Sequence, residues 1–331
     1  MKKILNDPQN YVDEMLDGLV AAHPEIYRAH AHRVIVRAGE KKPGKVGIVT
    51  GGGSGHLPVF TGYVGNGLLD GCAIGNVFAS PSAEQMAETI RAVDAGAGVL
   101  CLYGNYGGDV MNFDMAAEMV DFEDSIRTRS HAVADDVVSA SLDEAEKRRG
   151  VAGMIYAFKI AGAAAERMAD LDEVTRLAAK ASDNVVSMGM AMTPCIIPQL
   201  GKPTSTIADD EMEMGMGIHG EPGVWKGPIK SADDLLDEMF DTLQKDRPLT
   251  AGDRVSVLVN SLGATPLEEL YILYRRLAAR LAELGVKIVM PLVGRYATSM
   301  EMTGATLSIL KLDDELEVLL RAPSNCAFWK V

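Results

Sequence analysis

The stretch KVGIVTGGGSGHLP, residues 45–58, decides the fold. Val46 to Thr50 form an unbroken apolar run, the mark of a strand buried on both faces. Glycines 51–53, Ser54 and Gly55 follow, and then a histidine. Farther along, GVLCLY (98–103) repeats the buried-strand pattern and ends in another Gly/Asn-rich stretch, GNYGG. Between the two runs, SAEQMAETIRAVDAG (82–96) has helical periodicity, with Ser82 placed as N-cap. GDVMNFDMAAEMV (108–120), GVAGMIYAFKIAGAAAERMA (150–169) and LDEVTRLAAKASDNV (171–185) read as further helices. Strand, helix, strand, helix predicts an α/β fold with a largely parallel sheet.

The pattern changes near residue 185. In MEMGMGIHG, Met212, Met214, Met216 and Ile218 share one face by period two, and Glu213, Gly215, Gly217 and His219 share the other. SADDLLDEMFDTLQKD (231–246) predicts a helix and RVSVLVNSLG (254–263) a strand. Thr265-Pro266-Leu267-Glu268 reads as a capping box with proline at the first helical position. Leu267, Leu270, Tyr274, Leu277, Leu281 and Leu284 then form an apolar stripe that Gly285 closes. VKIVMPLVG (286–294) and the whole of ATLSILKLDDELEVLL (305–320) read as strands. The expectation is two α/β domains, 1–185 and 186–331, each a mixed or largely parallel sheet flanked by helices.

Three glycine motifs can be tested against the opening stretch. G-x-G-x-x-G fails, because the sixth position is His56 from Gly51 and Pro58 from Gly53. G-x-S-x-G fails, because His56 stands where the last glycine is required. GEKKPGKV (39–46) approaches a P-loop but ends in valine and leads into a strand, so it reads as a charged turn. What remains is a glycine-dense turn at the C-terminal edge of an α/β sheet, where ligands bind and glycine lets them approach the backbone. His56 sits in that turn. Asp109 opens the helix after the second strand, where an acid either complements the helix dipole or acts as a general base beside His56. His219 lies among glycines at another strand end. His23, His30 and His32 read as surface residues, His131 starts a strand and offers little, and Asp135-Asp136 could bind a cation, although surface or capping roles are commoner for such a pair. No metal-binding spacing occurs.

The chain has 331 residues, 47% of them hydrophobic, and a formal net charge of -14. That charge disfavours nucleic acid and anionic membranes as partners. The four cysteines, Cys72, Cys101, Cys195 and Cys326, form no CxxC pair. MKKILNDPQNYVDEML has no signal-peptide core, and no apolar stretch reaches the length of a membrane span, about 18 residues. A cytoplasmic location is expected.

GGGSGH, NYGGDVMNF, RRGVAG, KIAGAAA and above all GKPTSTIADDEMEMGMGIHGEPG resemble the dihydroxyacetone-binding subunit family of dihydroxyacetone kinase, in the same order and over nearly the whole chain. The resemblance implies a homodimeric phosphotransferase subunit that holds a short ketose and is active only with a separate nucleotide-binding subunit. It implies that His219 adds to the ketone as a hemiaminal, that Asp109 takes the proton of the attacking hydroxyl, and that His56 hydrogen-bonds the substrate. Gly52 and Gly53 are implied to supply backbone contacts. No cofactor is expected on this chain. ADP or ATP with magnesium would sit on the partner, recharged in one branch by a phosphotransferase-system phosphocarrier. The resemblance also admits a non-catalytic, ketose-sensing co-activator paralogue. One departure stands out: many relatives acting on dihydroxyacetone carry lysine before NY and threonine after it, where this chain has Gly104 and Gly107. That change suggests a larger pocket and a four-carbon ketose such as erythrulose.

Overall fold

The computed structural model describes residues 2–331. Helix α1 (Tyr11–Ala22) leads into a six-stranded sheet of β1 (Tyr27–Ala31), β2 (Val34–Arg37), β3 (Gly47–Ser54), β4 (Gly71–Val77), β5 (Val99–Gly104) and β6 (Thr128–Val133). Helix α2 (Ala83–Val93) joins β4 to β5, and α3 (Gly107–Asp124) joins β5 to β6. The strand order is β1-β2-β4-β3-β5-β6. The last four are parallel, and β1 and β2 add an antiparallel edge.

Helices α4 (Met154–Glu166) and α5 (Leu171–Asn184) lead to the second sheet. There follow β7 (Val185–Ala191), the short strands β8 (Ile196–Ile197) and β9 (Lys202–Pro203), β10 (Glu211–Met214) and β11 (Trp225–Pro228). Then come α6 (Ala232–Asp246), β12 (Arg254–Ser261), α7 (Leu267–Glu283), β13 (Lys287–Gly294), β14 (Gly304–Leu312) and α8 (Asp314–Leu320). The order is β11-β10-β7-β14-β12-β13, with β8 and β9 paired apart as a ribbon. Only β12 and β13 are parallel neighbours, so this sheet is mixed rather than largely parallel.

Period-two alternation sorts the side chains into layers. In β3, Ile48 faces the central core and Val49 faces the cluster under α2 and α3. In β12, Leu258 faces the central core, whereas Val255, Val257 and Val259 face α6 and α7. Helix α4 lies between the sheets, which explains its all-round apolar sequence: every residue except Glu166 is buried. Gly162 has no alternative there, since a Cβ would come within 2.5 Å of the Leu68 backbone. The cation of α4, Lys159, donates to the carbonyls of Leu319 and Ala322 at the end of α8 (3.0 and 2.6 Å).

Some local expectations hold and others do not. Ser82 caps α2 in a reciprocal capping box with Gln85. The box at Thr265 does not form; Pro266 is the N-cap, and the Thr265 hydroxyl instead donates to Gly304 O (2.6 Å) and accepts from Gly304 N (2.8 Å). The closing run is not all strand: β14 ends at Leu312, and Asp313 caps α8 by accepting from Leu316 N (2.9 Å). Burial of Leu316, Leu319 and Leu320 shows the period switching there from two to helical. Glycines 51–53 are not a turn, because β3 runs through them to Ser54 and the chain turns at Gly55 (φ +103).

Candidate active site

The C-terminal ends of β3, β4 and β5 open on one edge of the first sheet, as parallel topology requires. Gly55 turns the chain out of β3, and His56 follows it into full burial. The segment after β13 fastens this turn. Met300 N donates to Gly55 O (2.8 Å), and the Thr298 hydroxyl donates to Leu57 O (3.1 Å). His56 Nδ1 lies 2.7 Å from Thr298 O. A carbonyl can only accept, so Nδ1 carries the proton and Nε2 keeps its lone pair. That Nε2 is buried with no partner. Burial, and then the charge of His219, push His56 down to about 3, so the ring is neutral at physiological pH.

His219 comes from the glycine-rich segment after β10. Glu221 shapes that segment: its carboxylate accepts from His219 N (3.0 Å) and from His219 Nδ1 (2.9 Å). Burial works to raise the Glu221 pKa, but the hydrogen bond and charge of His219 prevail and hold it at about 2. With the carboxylate ionised, His219 Nδ1 is the donor, and in the neutral ring Nε2 keeps its lone pair. Three rings surround His219: His56 at 4.7 Å between centroids, Tyr106 at 4.6 Å and Phe78 at 5.4 Å, all edge-on. Phe78 also stacks on His56 at 4.9 Å.

Asp109 lies in the first turn of α3 and is buried, with Oδ1 unpartnered. Desolvation pushes it up to about 6, against a Ser80 hydrogen bond and the charge of His219, which lower it. A carboxylate poised near neutrality is suited to accept a proton. Gly52 and Gly53 line the same end of β3. A Cβ at Gly52 would fall 2.0 Å from the Phe60 ring, and one at Gly53 would fall 2.7 Å from Ala79 N. Close packing therefore requires both glycines.

The structure thus gathers His56, Asp109 and His219, with Gly52 and Gly53 at the same sheet edge. Asp135 and Asp136 lie elsewhere and are buried: Asp135 accepts from Val151 N and Gly153 N (both 2.8 Å) at the start of α4, and Asp136 pairs with Arg149. Among the described residues, no group of three or more His, Cys, Asp or Glu side chains could hold a metal ion. No helix there is long and apolar enough to cross a membrane. Sequence reasoning assigned no role to Glu221, although it lies two residues from His219. It also missed Phe78, Tyr106 and Thr298, which carry no local motif.

Residues 17–328 match the Dak1 domain. The chain belongs to the Dak1 family. It is 45% identical to the PTS-dependent dihydroxyacetone kinase 1, dihydroxyacetone-binding subunit DhaK, of Listeria innocua, over 99% of this chain and 100% of that protein. It is 43% identical to the L-erythrulose kinase of Pectobacterium atrosepticum, over 98% of this chain and 55% of that protein. Among solved structures, the dihydroxyacetone kinase operon co-activator Dha-DhaQ superposes with a TM-score of 0.89 at 30% identity, covering 96% of this chain and 98% of that one. Dak1 relatives therefore carry both kinase and co-activator names, and the choice between them rests on the site.

Proposed function

We propose that this Dak1 chain is the ketose-binding catalytic subunit of a dihydroxyacetone-type kinase, working with a separate nucleotide-binding subunit. The observation that carries this reading is the pair of imidazoles with free Nε2 atoms beside a buried, half-raised carboxylate. His219 Nε2 attacks the ketone carbon, the C=O π bond opens to an alkoxide, and the proton lost from Nδ1 reaches that oxygen by way of Glu221 or solvent. The product is a neutral hemiaminal. Such a bond retains a ligand too small for contacts alone to hold well, and it excludes polyols without a carbonyl. His56 Nε2 accepts a hydrogen bond from a ketose hydroxyl. Asp109 takes the proton of the attacking hydroxyl as its oxygen bonds phosphorus and the donor's bond to phosphorus breaks. ADP or ATP with magnesium belongs to the partner, with a phosphotransferase-system phosphocarrier recharging it in one form of the system. A homodimer and a division at residues 1–185 and 186–331 are part of the same reading.

Retention of both His56 and Asp109 favours catalysis over sensing alone. A four-carbon ketose is the second reading for the substrate. Gly107, where threonine would stand, has nothing within 4 Å of a Cβ, and a Cβ at Gly104 would reach the Tyr106 ring at 3.2 Å. Carbon-13 NMR with carbonyl-labelled dihydroxyacetone and erythrulose tests the adduct: the ketone resonance should give way to a tetrahedral one, and His219→Ala should abolish it. An unaltered ketone signal on the wild-type protein would sink the hemiaminal. Phosphoryl transfer with the nucleotide-binding subunit, compared across the two ketoses, settles the substrate.

A further inference from the structure

Helix α3 begins at the active-site edge, with Asp109 in its first turn, and its outward face is divided lengthwise. Met111, Met115 and Phe122 are exposed at 59%, 50% and 90%. At about 100° per residue they fall within about 40° of one another around the axis. Beside this apolar lane runs a second one of exposed acids, Asp114, Glu118 and Asp121. At the helix end, Glu123 and Asp124 are held by Arg91. The three acids of the lane have no ion-pair partner among the described residues. Phe113, Ala116 and Val120 anchor α3 to the sheet, and the outer apolar side chains leave half or more of their surface to solvent. A phenylalanine exposed to this degree beside two methionines marks an interaction surface.

We propose that this face of α3 is where the protein carrying the phosphoryl donor docks, through an apolar groove rimmed by lysine or arginine. The inference rests on the kinase reading above and assigns the partner's landing place. Charge complementarity selects the occupant. In a symmetric self-contact the same patch meets itself, which would bring the acidic lanes of two chains of net charge -14 together. A basic-rimmed partner is attracted instead. The two lanes run about 20 Å, at 1.5 Å per residue, from the turn that bears Asp109. A partner seated there reaches the mouth of the site while Asp109 stays buried on the opposite side of the helix.

The test uses the full chain and the ADP-loaded nucleotide-binding subunit, with affinity measured by titration calorimetry at low and high salt. Met115→Glu with Phe122→Glu should weaken partner binding at least tenfold. Glu118→Lys with Asp121→Lys should weaken binding at low salt and flatten the salt dependence of affinity. Both double variants should keep the wild-type melting temperature and ketose adduct, since none of these residues touches the site. Unchanged partner affinity in both would overturn the docking assignment. So would loss of self-association in either, which would make the face a self-interface. Failure of the kinase reading shows up separately, as a wild-type protein that forms no ketose adduct and transfers no phosphoryl group.

Discussion

The ring of His219 stands edge-on to the ring of His56, 4.7 Å between centroids and 80° between planes. Each ring gives its Nδ1–H to a fixed oxygen, that of Glu221 in one case and Thr298 in the other. In the neutral rings both Nε2 atoms are therefore acceptors, one on a partly exposed side chain and one fully buried. Burial, and then a charge on His219, disfavour a charge on His56 and keep that ring neutral.

Asp109→Asn should abolish phosphoryl transfer while leaving the ketose adduct measurable. It should also stabilise the fold. The folded pKa of Asp109 is raised from 3.8 to about 6, so its contribution is most favourable below about pH 3.8 and declines as pH rises to about 6. At pH 7 the ionised group costs on the order of 1–3 kcal/mol. Thermal melts at pH 7 and at low pH check this: the gain in Tm should shrink on acidification. Wild-type turnover in the variant would remove Asp109 from its role.

Transfer should rise with pH through about 6 as Asp109 ionises. His56, held at about 3, should contribute no second limb in the neutral range. Initial rates at saturating partner, measured from about pH 5 to 8, decide this. A flat profile across that span would contradict the assignment of the base.

Glu221→Gln should raise KM for the ketose more than it lowers kcat. The amide oxygen can still accept from His219, but the charge that fixes the tautomer is lost. The expected loss is roughly 10- to 100-fold in kcat/KM, the range found when the carboxylate that orients a metal-bound histidine is replaced. Nitrogen-15 NMR of His219 should show mixed tautomers in the variant. Because the Glu221 pKa is lowered from 4.5 to about 2, its pairing contributes fully above about pH 4.5 and fades as pH falls toward 2. Unchanged KM and a single tautomer would leave Glu221 without a positioning role.

Two glycines make a matched pair. Gly52→Ala forces a methyl group against the Phe60 ring at 2.0 Å and should destabilise by about 2–3 kcal/mol. Gly107→Thr meets open space and should fold as well as the wild type. The same change should shift preference toward dihydroxyacetone, read as the ratio of kcat/KM for three- and four-carbon ketoses. An unaltered ratio would detach Gly107 from substrate choice.

The cores of β3, β5 and β12, the parallel part of the first sheet and the helical character of α4 were legible because apolar runs and helical periods report local structure directly. His56, Asp109 and His219 were legible because each follows a strand in a glycine-rich context. The rest depends on contacts distant in sequence. Thr298 meets His56 across 242 positions, and no local pattern records such a pairing. Phe78 adopts φ 58, a conformation no motif announces for a phenylalanine. Thr265 looked like a cap because its neighbours fit the pattern, but Gly304 offered its hydroxyl both a donor and an acceptor. The α8 misreading came from a strand that passes into a helix at Asp313 without glycine or proline to separate them.

The clamp between the His56 turn and residues 298–300 bears on how relatives are compared. A homologue could retain all three chemical side chains and still shorten the loop after β13. Its first histidine would then lose the carbonyl that dictates where the ring proton resides, while the second would keep its carboxylate partner. Such a protein would be a receptor wearing an enzyme's residues. The length of that distant loop therefore bears on the state of the first histidine as directly as the histidine's own neighbours do.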